Sequence, residues 1–465
     1  VSIRSRFAAV VGGPARLRVV VLLAAVLALD GADKGTVSAT ASNLQRAFGV
    51  HNTAIGLLAT VSTLVGATAT IPAGALTDRI CRTRLLSVAV AVWALATLAG
   101  AAAPSYRWLL LTRLALGVAV AAAGPAVASL TGDWFPADDR ARMYGFILAG
   151  EMIGTGIGFV FSGLVAEWFG WRAAFAWLVL PGLLLAVVVW RQQEPQRGES
   201  TTGEPAGPAA QAVEQEHVPP YPDQVLRRDP QRIGLLEAVR YVLRVRTNVV
   251  IIAASALGYF YFGGVRTFAI LFAQGHYQVA KPVASLLVLV VGIGALVGVF
   301  VGGRLADSLL ARGVINARVI IPAVVLFAIP LLLGPGFWVD PIWISIPLLT
   351  LGAALLGAAN PPQDAARLDI IHPHLWGRSE GVRTALRQVF EAAAPVTFGW
   401  VSDHAFGSKV STGTAAHVAG HEHGLSATFV LFLVVLWLAG AIVLIALRTY
   451  PRDVATASAS LEHTS

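Results

Sequence analysis

Apolar residues fill this chain in runs of about twenty, separated by short polar turns, and such runs recur twelve times. A helix rises about 1.5 Å per residue, so roughly 20 apolar residues carry it through the hydrocarbon core of a bilayer. The pattern predicts membrane-spanning helices over 18–41, 54–76, 84–103, 106–130, 141–165, 172–190, 248–273, 281–303, 316–334, 341–360, 380–402 and 425–447. Glycine and alanine are frequent within them, as close helix packing in lipid requires. Between 191 and 230 the pattern stops and Pro, Gly, Gln and Glu take over, which predicts a disordered linker. From Arg232 to Arg246 apolar and basic residues then separate at helical spacing, the pattern of a helix lying on an anionic membrane surface. The expected organisation is an all-α membrane protein of two six-helix bundles, 1–190 and 247–448, joined by a linker over 191–246 and followed by a tail over 449–465.

Composition agrees with this reading. Only 13% of the 465 residues are charged, 56% are hydrophobic and the mean hydropathy is +0.69, whereas a soluble domain carries about a quarter charged residues. The net charge of +8 would point to a nucleic-acid partner in a soluble protein. Here the arginines gather on one side of the predicted spans: Arg79 to Arg84, Arg140 and Arg142, the 191–246 segment, Arg304, Arg312 and Arg318, and Arg448 and Arg452. The positive-inside rule makes that side cytoplasmic and places both termini there. The one cysteine, Cys81, falls in a turn on that side and excludes an intramolecular disulfide. The basic N-terminus and the apolar run after it read as the first span rather than as a cleaved signal.

Charges inside the spans need a reason, because each costs about 2.5 kcal/mol or more unless it is paired or wet. Asp30, Asp33 and Lys34 sit near the middle of the first span, at a spacing that lets them share one helix face. Two acids and one base in reach of each other form a candidate proton site; a structural ion pair is the plainer reading. Lys34 is one of three lysines in an arginine-rich chain, and a lysine can lose its proton when buried. Arg113 in the fourth span could bind an anionic group, bias the pKa of a neighbouring acid, or snorkel to the outer interface. Glu151 stands among Gly150, Gly154, Gly156 and Gly158, a packing seam with a carboxylate in it. In the second half, Tyr259, Tyr261 and Arg266 share a span with Gly258, Gly263 and Gly264, and glycine-broken spans are where transporters place substrates. Arg383, Arg387 and Glu391 are stacked by their spacing of four. Distances from the preceding Pro136 and Pro373 make Glu151 and Glu391 counterparts in the two halves. His417, His421, Glu422 and His423 could hold zinc, but their Gly- and Ala-rich surroundings favour a pH-sensitive or simply solvated loop.

The stretch Gly74-Ala-Leu-Thr-Asp78-Arg79-Ile-Cys-Arg82-Thr-Arg84 returns more weakly as Gly303-Arg-Leu-Ala-Asp307, each expected as a tight charged turn between two spans. It resembles the signature loop of the major facilitator superfamily of transporters. More narrowly, Leu29 to Lys34, Gly56-Leu-Leu58, Gly74 to Arg84, Pro125 with Asp133 to Pro136, and Gly170 to Phe175 resemble the spinster branch. The resemblance implies two bundles rocking about a central site, with Asp33 carrying the proton, Lys34 as its partner, and Gly74, Asp78, Arg79 and Asp307 closing the cytoplasmic side. Lys34 stands where the branch has Arg, and the acid expected in the fourth span falls at Val120, so Glu151 is its candidate substitute. By the same resemblance the protein is expected in a bacterial inner membrane, as a monomer without cofactor or metal, exporting lysolipids, sphingoid lipids or amphipathic drugs. Transport of a small organic anion, countered by Arg113, Arg266 and Arg387, is the alternative. A non-transporting lipid receptor and a membrane enzyme are the readings from other classes.

Overall fold

A computed structural model describes residues 13–77, 80–135, 137–194, 208–226, 233–372, 375–406 and 414–464. The described residues are helical, in the order α1 Pro14–Phe48, α2 Asn52–Thr77, α3 Arg82–Ala101, α4 Tyr106–Ala121, α5 Ala123–Trp134, α6 Ala137–Ala176, α7 Val179–Trp190 and α8 Pro208–Gln215. The order continues with α9 Leu235–Val242, α10 Arg246–Tyr277, α11 Lys281–Ala311, α12 Ala317–Trp338, α13 Ile342–Ile370, α14 Trp376–His404 and α15 Thr414–Thr464.

Among the described residues, nine stretches are long and apolar enough to cross a membrane. One of them, Ala149–Trp190, holds two crossings, because Gly170 adopts φ 83° and breaks the helix. The helices bearing intramembrane charges, α1 and α14, complete the twelve. The fourth crossing is α4 followed by α5. Pro125 lacks the N–H that would bond the Ala121 carbonyl, and the helix lapses there.

The chain forms two compact units. The first contains the chain up to Gly203 with Arg266–Leu289 and Pro395–Ala405; the second contains Glu204–Val265, Val290–Ala394 and Phe406–Ser465. These units cut across the boundaries expected at 190 and 247. Within the first unit, the end of α14 is sewn to the start of α2: Asn52 Nδ2 donates to Ser402 Oγ at 3.2 Å, and the Thr53 N–H to Asp403 Oδ2 at 2.7 Å. Its core is the packing of α1 on α6, where Gly150, Gly154 and Gly158 face the backbone of Ala24, Ala28 and Ala32. A Cβ on Gly154 would stand 2.0 Å from the Ala28 carbonyl oxygen. The second unit repeats the device between α11 and α13, with Gly298 on Ala354 and Gly302 on Ala358.

Four sequence expectations are corrected. The second copy of the repeated motif is not a turn, since α11 runs through Gly303 and Asp307 to Ala311 and the chain reverses at Gly313 with φ 88°. The first copy continues α2 to Thr77; Asp78 and Arg79 lie outside the described residues. Helix α10 is unbroken at Gly258, Gly263 and Gly264, because its backbone bonds close over residues that need no side chain there. Finally, part of the expected disordered linker, 208–226, is folded onto the expected tail. Ala209 and Val213 are buried, and the N–H groups of Tyr221 and Leu226 donate to Thr456 Oγ1 and Ser460 Oγ at 2.9 Å each. That tail is itself the end of α15, with Tyr450, Asp453 and Val454 buried.

Candidate functional site

Helix α1 carries Asp30 and Lys34 one turn apart, and Lys34 Nζ lies 2.6 Å from Asp30 Oδ2. The same nitrogen donates to Glu151 Oε1 on α6 at 2.8 Å. This crossing works because Gly31 sits against the Glu151 backbone: a Cβ there would be 2.2 Å from its carbonyl oxygen. The three side chains are part-exposed, at 17% for Asp30, 31% for Lys34 and 35% for Glu151. One cation holds two acids, leaving the triad one charge negative when all are ionised.

Asp33 points elsewhere, which corrects the pairing expected with Lys34. Its two carboxylate oxygens both accept from Arg113 Nη1 on α4, at 2.9 and 2.8 Å. Both residues are buried, so Arg113 neither snorkels nor lines an open cavity. The guanidinium rests over the Phe175 ring, 4.9 Å from its centroid, and passes Gly100, where a Cβ would be 3.5 Å from Nη2. Asp33 and Lys34 find different partners because consecutive residues point about 100° apart around a helix, whereas four residues bring Lys34 back over Asp30. Nearby, Thr36 Oγ1 and Ser162 Oγ are 2.6 Å apart, and Trp177 Nε1 donates to Ser162 at 2.9 Å.

In the second unit, Arg387 stacks over Tyr259 with its Cζ 4.0 Å from the ring centroid. One turn away Arg383 pairs with Asp364 at 2.8 Å, and Arg367 reaches the same carboxylate at 3.2 Å. Glu391 packs against Gly263, where a Cβ would stand 3.2 Å from its carbonyl oxygen. Gly31 meets Glu151 in the same way, so the two glutamates occupy equivalent places in their own units. Tyr261 does not join Tyr259: it is fully buried, since two residues along a helix face nearly opposite ways. Arg266 belongs to the first unit and is half-buried.

On the arginine-rich side, Asp307 accepts from Arg318 Nη2 at 3.1 Å, and Arg318 also holds Asp369, to which the Tyr450 hydroxyl donates. In the first unit Glu194 caps α3, accepting from Arg82 Nε at 2.7 Å and from the backbone N–H groups of Arg82 and Thr83 at 3.1 and 2.9 Å. Burial opposes its charge, but these donors outweigh burial and hold the carboxyl down at about 2. Sequence reasoning missed Asp364, Asp369 and Glu194. Acid and base three apart at Asp364 and Arg367, just past the predicted span, were a readable signal; nothing local marks Glu194 as a cap. The candidate zinc set at His417 to His423 falls where side chains lie outside the described residues.

Two pseudo-equivalent helix pairs, each with an acid against a glycine, agree with the family comparison. The Major Facilitator Superfamily model matches residues 23–395. The chain belongs to that superfamily. This major facilitator protein is 32% identical over 173 residues to probable anion transporter 3, chloroplastic, of Arabidopsis thaliana, covering 37% of this chain and 34% of that one. It is 28% identical over 196 residues to the gallate transporter of Pseudomonas putida, covering 42% and 44%. To protein spinster homolog 1 of Rattus norvegicus it is 32% identical over 198 residues, covering 40% and 37%. The matched segments thus span less than half the length of these relatives. Among solved structures, a bacterial homologue of the human lysosomal transporter Spinster, inward-facing and unoccupied, superposes with TM-score 0.77 at 20% identity over 95% of this chain and 98% of that one. A D-xylose–proton symporter gives 0.61 at 17% identity over 90% and 96%.

Proposed function

We propose that this major facilitator protein is a proton-coupled transporter that exports amphipathic molecules, lysolipids or lipophilic drugs, by alternating access. The observation that carries the proton coupling is the charge count at the Asp30–Lys34–Glu151 triad. Asp33 and Arg113 are paired with one another. The triad is one charge short of neutrality, and the proton that completes it loosens the hold of Lys34 on one acid, so α1 and α6 respond to it. Reversing a 1:99 conformational preference takes about 5.5 kcal/mol of differential binding, which one proton and a substrate together can supply. The proton gradient is the only energy source the mechanism needs. On this reading the arginine-rich side is cytoplasmic, in a bacterial inner membrane.

The testing experiment is flux of a fluorescent lysophospholipid in proteoliposomes under an imposed pH gradient, with Glu151→Gln and protein-free vesicles alongside. Gradient-driven flux that is lost in the variant supports the reading. Flux equal to that of protein-free vesicles removes the lipid class.

A second reading, transport of a small organic anion, is favoured by Arg387 lying on Tyr259 beside Arg383, and by the anion and gallate transporters among the relatives. It loses Arg113, which is committed to Asp33. An anion carrier would ignore long-chain amphiphiles in competition.

A further inference from the structure

In the second unit the folded segment 208–226 is fastened to the end of α15, and one of its residues has unusual neighbours. Tyr221 lies beneath two guanidinium groups, with Arg452 Cζ 4.4 Å and Arg246 Cζ 5.3 Å from its ring centroid. Both arginines are exposed. Stacking on an aromatic face orients a guanidinium and leaves its N–H edge free for a planar or tetrahedral oxyanion. Arg244 precedes Arg246 by two residues and Arg448 precedes Arg452 by one helical turn, both exposed, while Asp453 is buried and turned to the Thr247 N–H at 2.8 Å.

The level of this cluster along the helices says what it meets. On α10 the exposed apolar surface begins with Val249, three residues after Arg246. On α15 it ends with Leu444 and Ile445, just before Arg448. At about 1.5 Å per residue, the arginines stand within a turn or two of the edge of the hydrocarbon, where lipid phosphates lie. Leu236 is 73% exposed on α9 and Leu243 43% just beyond it, apolar contacts suited to the acyl boundary.

We infer that Arg246 and Arg452, set by Tyr221, form a binding site for the phosphate headgroup of an acidic membrane lipid, and that the bound lipid clamps segment 208–226 onto α15. Backbone bonds from Tyr221 and Leu226 to Thr456 and Ser460 already tie the segment to the helix, and a lipid phosphate that neutralises the two arginines over Tyr221 removes their mutual repulsion at this joint. This inference concerns the membrane, not the cargo, and stands whether or not the transported class is right.

The test is native mass spectrometry and hydrogen exchange of the full chain in nanodiscs of phosphatidylcholine with and without phosphatidylglycerol. The wild type should retain phosphatidylglycerol, and exchange in 208–226 should slow when that lipid is present. R246Q/R452Q should lose about tenfold or more in lipid retention and all of the added protection. Arg191→Gln, an exposed arginine elsewhere on the same side, should behave as wild type. Equal loss in Arg191→Gln, unchanged retention in the double variant, or no preference of the wild type for the acidic lipid would overturn the site. Protection restored by soluble glycerol 3-phosphate in pure phosphatidylcholine would overturn its assignment to membrane lipid.

Discussion

Asp33 is held by Arg113 from α4, one guanidinium nitrogen spanning both carboxylate oxygens, and not by Lys34 one residue further along α1. Two adjacent residues on one helix thus serve two separate networks: a buried ion pair, and a part-exposed triad of two acids and one base. The proposed coupling rests on the second.

Breaking a buried ion pair leaves an uncompensated charge and costs about 3–5 kcal/mol, whereas removing both partners is often far milder. Arg113→Gln and Asp33→Asn should therefore each lower the melting temperature of the purified protein sharply. The double variant should recover much of the loss. Thermal unfolding of the four proteins in one detergent measures the coupling, and additive losses would show that the pair contributes nothing as a pair.

Glu151→Gln and Asp30→Asn each bring the triad to neutrality without a proton. Being part-exposed, these positions should cost at most about 1 kcal/mol of stability. Gradient-driven flux should fall at least about tenfold, a loss of about 1.4 kcal/mol of drive or more, while exchange in the absence of a gradient persists. A variant that still concentrates substrate against the gradient would remove its acid from the coupling.

Helix packing gives a contrast between two glycines. Gly154→Val places its Cβ about where the Ala28 carbonyl already is, and should abolish folded protein in a size-exclusion profile. Gly258→Ala meets nothing within 4 Å and removes a helix-interior glycine, so it should be neutral or stabilising by up to about 1 kcal/mol.

Much of this was legible along the chain. Hydropathy located the nine stretches that are apolar enough to cross a membrane, and the Gly150–Gly158 run was readable as a packing seam. Counting from Pro136 and Pro373 paired Glu151 with Glu391, which do occupy matching places against Gly31 and Gly263. Partners were less legible. Spacing puts Asp30, Asp33 and Lys34 on one broad face, but Arg113 is 80 residues away on another helix, and nothing local to α1 announces it. The fold of 208–226 escaped notice because its apolar contact is only Ala209 and Val213 on one short helix, and its backbone donors to Thr456 and Ser460 leave no pattern in the sequence.

The Glu194 cap predicts a pH dependence. A carboxyl lowered from 4.5 to about 2 contributes stability that is fully present above its ordinary range and fades as pH falls through the folded value. The wild type should therefore lose its stability advantage over Glu194→Gln between about pH 5 and pH 2. Above that window the difference should be constant. A gap that widens on acidification would mean the carboxylate is not what caps α3.

The cluster around Tyr259 separates the two substrate readings. Arg387→Gln removes a cation but leaves the ring, while Tyr259→Phe keeps a ring for Arg387 to stack on. If substrate carries an acidic group to this place, Arg387→Gln should raise KM for an anionic amphiphile about tenfold, the loss of one charge-assisted contact worth about 1.5 kcal/mol. Tyr259→Phe should leave KM near the wild-type value. A zwitterionic or cationic amphiphile should be indifferent to both. The reverse pattern, with Arg387→Gln improving a cationic substrate and sparing the anionic one, would assign Arg387 to exclusion of cations and move the contact with substrate to another part of the second unit.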